Sequence, residues 1–299
     1  MAVFVAASDE TNSGNGLYHY AGWLASESDW TRFFTPAWQE RVLDGPPQIP
    51  YLHMTEMRSR AWREQWGITQ ADVDERLDEA ARVIDQMGSL YAFKLTIDTS
   101  IFRPLYKPHK MLVASGAVKN YKPDFLGFVS YAFAVLSQVH FKYPEAEKVD
   151  FLVENNSDIT KHIHELYETM PASLKQIGKP ELVPLVGEFL PAGKNRVPLQ
   201  AADYLCWHSQ RSDAQMLNDR DSRRWNTLAC RKGFNLTLPT SVLTALAKAF
   251  AEREKENETS SGIRSVRQNH ARSDERLARR NREGTRRRRG SKHAKKAEG

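Results

Sequence analysis

Ala2-Val3-Phe4-Val5-Ala6-Ala7-Ser8-Asp9-Glu10-Thr11-Asn12-Ser13-Gly14-Asn15-Gly16-Leu17-Tyr18-His19-Tyr20-Ala21-Gly22-Trp23-Leu24-Ala25 carries a strand-like pattern twice. An apolar run, Val3 to Ala7, and an aromatic one, Leu17 to Ala25, flank a segment dense in turn formers. The pattern predicts two strands joined by a polar loop over Ser8–Gly16. Beyond it, Trp30, Phe33, Phe34, Ala37 and Trp38 follow helical spacing. Pro36 interrupts that run, and Thr35 as N-cap with Pro36 at the first helical position predicts a restart there. Asp44 to Pro50 reads as a loop. Val73, Leu77, Ala80, Ala81 and Ile84 then mark one helix face, with Asp72, Asp74, Glu75 and Asp78 near its start, where the helix dipole favours acids. A helical insertion near 27–88 follows from these patterns.

The remainder alternates. Tyr91 to Ile97 predicts a third strand, 103–123 is Pro-containing and irregular, and Phe125 to Phe141 is a buried helix. Val149 to Val153 predicts a fourth strand. Ile159, Ile163, Leu166, Tyr167 and Met170 form a helical face, Leu182 to Phe189 a fifth strand, and Pro198 to Gln210 a helix. Thr240 caps a last helix. The expected fold class is α/β: a mixed sheet, antiparallel in its first three strands, then parallel β-α units. The expected folded domain is 1–257, followed by a basic, disordered tail over 258–299.

Charge supports that division. The 299 residues carry 43 basic and 37 acidic side chains, a net +6. Residues 260–299 hold 14 Lys/Arg and four Asp/Glu, a balance of +10, and have no aromatic residue. The preceding 259 residues hold 29 basic and 33 acidic, a balance of −4. The body is mildly acidic, so net basicity does not mark it as a nucleic-acid binder; the tail is too poor in apolar residues to offset its ordering entropy. Met1 to Ala7 lacks a basic n-region and reads as a strand, not a signal peptide. Phe125–Phe141 is shorter than the ~20 residues of a membrane span and contains Ser130, Ser137, Gln138 and His140, so no membrane partner is expected. Cys206 and Cys230 fit no paired motif or metal spacing; they read as free thiols of a reducing, cytoplasmic compartment.

Three acids fall where strands end. Asp9 follows the first strand, Glu154 the fourth, and Asp203 lies in the helix after the fifth. Were strands one and four parallel neighbours, Asp9 and Glu154 would emerge at the same sheet edge, where α/β proteins bind ligands. In Gln200-Ala201-Ala202-Asp203 the polar residues share a helix face at i, i+3, and the alanines allow close approach to the sheet. Carboxylates converging from separate elements suit a hard cation, Mg2+ or Mn2+, and metal-assisted phosphodiester hydrolysis. The competing reading is that acids after strands are turn formers and helix caps, which chance alone brings together in threes.

Val3–Glu10, Ala21-Gly22-Trp23, Ile49-Pro50-Tyr51-Leu52-His53-Met54, Val149–Glu154 and Leu199–Asp203 resemble, in order, the landmarks of one bacterial and phage family. It is the family catalogued as domain of unknown function 3800. The resemblance covers roughly residues 3–210. It implies a ribonuclease H-like fold and a metal-dependent nuclease activity, with metal ligands Asp9, Glu154 and Asp203 and an assisting His53. The family pattern has Asp-Glu-Ser-Gly where this chain has Asp9-Glu10-Thr11-Asn12, and Asp where it has Glu154. The longer Glu arm shifts an ion by about one methylene, which bears on whether activity is retained.

Other residues have competing readings. His53 reads as a general acid or base, as a ligand beside Asp9, or as a hydrogen-bonded histidine at a helix entry. Glu10 reads as a solvated turn residue, Asp158 as a first-turn acid, and Asp98 as an outside candidate for the same sheet edge. Lys107, Lys110, Lys119 and Lys122, interleaved with Tyr106, His109 and Tyr121, suit a phosphate backbone and unstacked bases, or form a solvated loop. Arg286, Arg287, Arg288 and Arg289 in the tail suit salt-sensitive nucleic-acid contacts. There is no Gly-x-Ser-x-Gly elbow and no Gly-x-x-x-x-Gly-Lys loop. The functional expectation is a metal-dependent nuclease acting on DNA or RNA. The alternatives are a catalytically inactive nucleic-acid- or protein-binding module of the same fold, and a hydrolase of small phosphate esters, which would need a closed pocket.

Overall fold

Strand β1 (Ala2–Asn12) is central in a six-stranded mixed sheet of order β7-β6-β1-β2-β3-β8. The computed structural model describes residues 2–12, 16–107, 110–112, 118–120, 122–155 and 157–259. At 12, 110–112, 118–120, 157–159, 162, 249–250 and 252–259 it describes the backbone alone. β2 (Leu17–Ser26) pairs antiparallel with β1, and β3 (Tyr91–Asp98) antiparallel with β2. β4 (Lys110–Leu112) and β5 (Val118–Asn120) form a separate two-stranded ribbon. β6 (Ala146–Glu154) runs parallel to β1, β7 (Val186–Ala192) parallel to β6, and β8 (Gly233–Thr237) parallel to β3. The expected class holds: an α/β protein with antiparallel early strands and parallel later ones.

Successive side chains on a strand alternate between faces, and β1 sorts its residues accordingly. Ser8 faces the helix Pro123–Lys142, its hydroxyl 3.0 Å from that of Tyr20, whose ring meets Tyr131 of that helix at 5.3 Å. Tyr131 donates to the Ala7 carbonyl at 3.2 Å, and Phe128 packs edge-on against Phe151 of β6. Ala7 and Trp23 face the other side, where they join one buried cluster with the helical insertion and the helix Val197–Asp213. Trp23 donates its indole N–H to the Ala201 carbonyl at 3.0 Å. Gly22 sits opposite Ser8 in the β1–β2 register, where a Cβ would overlap the Ala7 carbonyl oxygen.

Several expectations are corrected. The first strand runs to Asn12, so Asp9 and Glu10 lie inside it and the expected loop from Ser8 is shorter. Residues 27–43 form one helical run through Pro36, capped by Ser26, whose hydroxyl accepts the Asp29 N–H. It needs no restart, because π-type turns at Trp30–Phe34 and Gln39–Leu43 flank the proline and relieve the register it cannot satisfy. Trp30, Phe34, Trp38 and Val42 thereby keep one buried stripe. The fifth strand begins at Val186, because Pro180 and Pro184 hold Pro180–Leu185 as a 3₁₀ turn. Within 103–123, Thr99–Tyr106 is helical, and Asp98 caps it through Ser100 N–H and Ile101 N–H. The helix Asp219–Ala229, which holds few apolar residues, and the short, exposed strand β8 do not stand out in the sequence.

The described residues divide into two units, one up to Thr244 and one from Ala245. Of the second, Ala245 to Thr259 continue the helix Thr240–Thr259. Residues 260–299, with Arg286, Arg287, Arg288 and Arg289, lie outside the described residues, as do the side chains of Lys110, Lys119 and Asp158. No helix among the described residues is long and apolar enough to cross a membrane.

Candidate functional site

Ser8 of β1 pairs with Val153 of β6, which sets Asp9 and Glu154 side by side at the carboxyl ends of two parallel strands. Asp9 points to the face of the Val197–Asp213 helix. Ala201 and Ala202, both fully buried, bring that helix close enough for Asp203 to reach Asp9. The two carboxyls line the same recess and lie close enough to act on each other's ionisation. Burial first, then the charges of Asp203, Glu10 and Glu154, hold the Asp9 carboxyl well above the usual carboxylate range. Burial also raises Asp203, to about 7, against the lowering effects of the Met54 N–H and the Asp9 carboxyl. Two adjacent carboxyls in so dry a setting cannot both ionise cheaply, and the pair is poised to gain from a neighbouring positive charge.

Glu154 joins Asp9, Asp203, His53, Lys194 and Gln200 around one narrow recess with about 10 Å³ of interior space. That is room for roughly one water or ion. Three of the expected carboxylates and the expected histidine therefore line a single recess. Among the described residues, however, no group of three or more His, Cys, Asp or Glu side chains is drawn together closely enough to hold a metal ion. The close association is the Asp9–Asp203 pair, with Glu154 beside it.

The insertion reaches the site through a clamp. Gln200 Oε1 accepts the Leu52 N–H at 3.0 Å and the Trp38 indole N–H at 2.8 Å, while its Nε2 donates to the Lys194 carbonyl at 3.0 Å. Asp203 Oδ2 accepts the Met54 N–H at 2.7 Å. His53 is thus fixed from both sides, at the residue preceding the short helix Met54–Met57. Gln200 is a positioning residue with every contact internal.

Lys194, in the turn after β7, is a site residue that sequence reading missed. Its ammonium lies 3.2 Å from His53 Nδ1 and 3.1 Å from Glu56 Oε1. An ammonium only donates, so Nδ1 accepts and the neutral imidazole carries its proton on Nε2. Burial and then Lys194 lower the His53 pKa to about 4, with Glu56 opposing. His53 is therefore a neutral hydrogen-bond donor near pH 7, which narrows the sequence expectation of an acid or base. The available signal was Pro191-Ala192-Gly193-Lys194-Asn195, a turn carrying a cation directly after a strand's carboxyl end.

Glu10 departs from its expected role as a solvated turn residue. It faces the Pro123–Lys142 side, where burial, then Asp124 and Glu154, raise it to about 7. Asp98 serves its helix cap and does not line the recess. Lys107 is exposed and away from the recess, whereas Lys122 lines a second cleft with Glu10 and Tyr18. Cys206 is buried and Cys230 exposed, both as free thiols. No protein-family model, curated protein or solved structure matches the chain.

Proposed function

We propose that the protein is a divalent-metal-dependent phosphodiester hydrolase of ribonuclease H-like fold, acting on nucleic acid. The observation that carries this reading is the Asp9–Asp203 pair, one buried and one half-buried carboxyl from separate elements that act on each other's ionisation at the carboxyl edge of a parallel strand pair. The sheet, antiparallel in β1–β3 and then continued by parallel β-α units, supports the fold part of the reading. The donor set fits a hard cation. Asp9, Asp203 and Glu154 offer oxygen ligands only, and a cation between them would offset the mutual repulsion and burial that raise Asp9 and Asp203.

Asp9, Asp203 and Glu154 would hold Mg2+ or Mn2+. When bound, such an ion supplies Lewis-acid polarisation of a phosphoryl oxygen and lowers the pKa of water. The chain's own residues do the rest. Asp203 is held in place by the Met54 N–H, and Gln200 fixes the backbone on either side of the site. His53 Nε2–H is a donor for a non-bridging phosphate oxygen. Lys194 holds that tautomer and places a positive charge beside the carboxylates.

The absence of a preformed three-ligand group among the described residues favours one second reading, the catalytically inactive nucleic-acid- or protein-binding module. The small-ester reading has less support, since the recess is far below the size of such a substrate. The test is hydrolysis of labelled single- and double-stranded DNA and RNA with Mg2+ or Mn2+, wild type against Asp203→Asn. Metal-stimulated cleavage abolished by the substitution supports the proposal. Cleavage that Asp203→Asn leaves unchanged overturns the site, and binding without turnover under either metal selects the inactive module.

A further inference from the structure

The recess is too small to receive any substrate, so whatever is cleaved must lie mainly outside it. Directly across β1 lies a cleft of about 360 Å³, within the size range of small-ligand sites. Its walls include Glu10 from β1, Tyr18 from β2, Arg103 from the Thr99–Tyr106 helix, and Lys122 and Asp124 at the start of the Pro123–Lys142 helix. Asp9 and Glu10 are consecutive on one strand and face opposite sides, so recess and cleft are separated by the thickness of the sheet. Glu154, at the carboxyl end of β6, stands close enough to influence Asp9 and Glu10 alike and so links the two sides.

The cleft has two chemically distinct parts. Its cations are Arg103, which is exposed, and Lys122, which is half-buried; neither has an ion-pair partner among the described residues. They flank the N-terminus of a 20-residue helix, which adds to the local positive potential. Its interior holds the carboxyls of Glu10 and Asp124 and the phenol of Tyr18. Tyr18 is 3% exposed, and its hydroxyl has no hydrogen-bond partner among the described residues. A buried hydroxyl without a partner forfeits the hydrogen bonds it made to water, and a ligand group that supplies a partner recovers that loss. Carboxyls repel phosphate, so the floor selects a neutral part rich in N–H and O–H groups, while Arg103 and Lys122 suit an anion.

We infer that this cleft binds one nucleotide unit, its phosphate against Arg103 and Lys122 and its base or sugar over Glu10, Tyr18 and Asp124. The unit is a free nucleotide or one residue of a strand that crosses the sheet edge into the Asp9–Asp203 recess. The second case rests on the phosphodiester reading above; the binding itself does not.

The experiment uses the full chain with EDTA at physiological salt, so that no hydrolysis contributes. The probes are adenosine 5′-monophosphate, a labelled single-stranded octanucleotide and inorganic phosphate, titrated by calorimetry and fluorescence anisotropy. The variants are Tyr18→Phe, which removes only the hydroxyl, and Arg103→Gln/Lys122→Gln, which changes only the rim. The inference expects nucleotide or oligonucleotide affinity to fall about tenfold in each variant. Mononucleotide binding marks the free ligand, and octanucleotide binding alone marks the strand. Affinities unchanged by both variants, no binding of either nucleotide probe, or phosphate binding as tightly as the mononucleotide would each overturn it. Nucleotide binding that depends on the cleft in a protein without nuclease activity would retain the cleft and remove the hydrolase reading.

Discussion

Asp203 Oδ2 accepts the backbone N–H of Met54 at 2.7 Å, tying a helix after the fifth main-sheet strand to a segment 149 residues earlier. One turn before it, Gln200 takes the Leu52 N–H and the Trp38 indole N–H on a single oxygen. The i, i+3 pair thus grips Leu52 and Met54 and holds His53 between them. Gln200→Leu leaves two buried donors and the Lys194 carbonyl without their partner. The expected cost is about 2–4 kcal/mol, read as a lower urea midpoint, with faster amide exchange over 51–57. A midpoint within a few tenths of a kcal/mol of wild type would show that the clamp is not what holds His53.

Burial first and Lys194 second set the state of His53. With the His53 pKa at about 4 in the fold and 6.5 unfolded, the unfolded chain binds a proton that the native one refuses between those values. This group therefore adds to stability as pH rises from 4 to 6.5 and contributes nothing further above. Lys194→Met removes one of the two lowering causes and leaves Glu56, which raises the value. The His53 titration, followed by the Cε1 proton in NMR, should move up by about one unit or more. A midpoint that stays near 4 would mean that burial alone sets it.

Gly22 is needed for close approach, not for an unusual turn. An added Cβ would overlap the Ala7 carbonyl oxygen and come within 2.8 Å of both Ser8 Cα and the Tyr131 hydroxyl. Intrinsic strand preference favours Ala over Gly by about 0.5–1 kcal/mol, so the two effects have opposite signs. Overlap with backbone should dominate, with Gly22→Ala losing about 3 kcal/mol in thermal or urea unfolding and detaching Tyr131 from Ala7. A stabilised variant would show that β1, which carries Asp9, sits looser than its register implies.

Much of this arrangement was legible because strand and helix periods differ. The apolar runs of β1, β2 and β6 and the Gln200–Asp203 spacing bring Asp9, Glu154 and Asp203 together once strands one and four are parallel neighbours, and the structure supplies that pairing. Lys194 was not legible, because a lone lysine in a turn has no pattern; its role comes from the fold returning it to His53. Glu10 was misread because Ser8–Gly16 is rich in turn formers, while pairing with Tyr20 of β2 keeps that residue in the strand. Pro36 misled for a related reason: a π-type turn before it absorbs what an α-helix could not. β8 went unseen because its burial is slight and its partner, β3, is remote in sequence.

Asp203→Asn separates electrostatics from packing at the site. Asp203 ionises at about 7 in the fold and at 3.8 unfolded, so the native chain holds a proton that the unfolded one has lost. Stability accordingly falls as pH rises from about 4 to 7, and the full penalty is present above 7. Asn keeps the acceptor for the Met54 N–H and carries no charge. Asp203→Asn should therefore unfold on the order of 1–3 kcal/mol later than wild type at pH 8, with the difference vanishing near pH 4. Adding Mg2+ or Mn2+ at pH 8 should raise the wild-type melting temperature more than the variant's, because the variant keeps Asp9 and Glu154 but has lost the third oxygen ligand and its charge. A variant less stable than wild type at pH 8 would show that the Asp9–Asp203 contact is favourable as it stands. The carboxylate repulsion invoked for metal binding would then be lost as an argument.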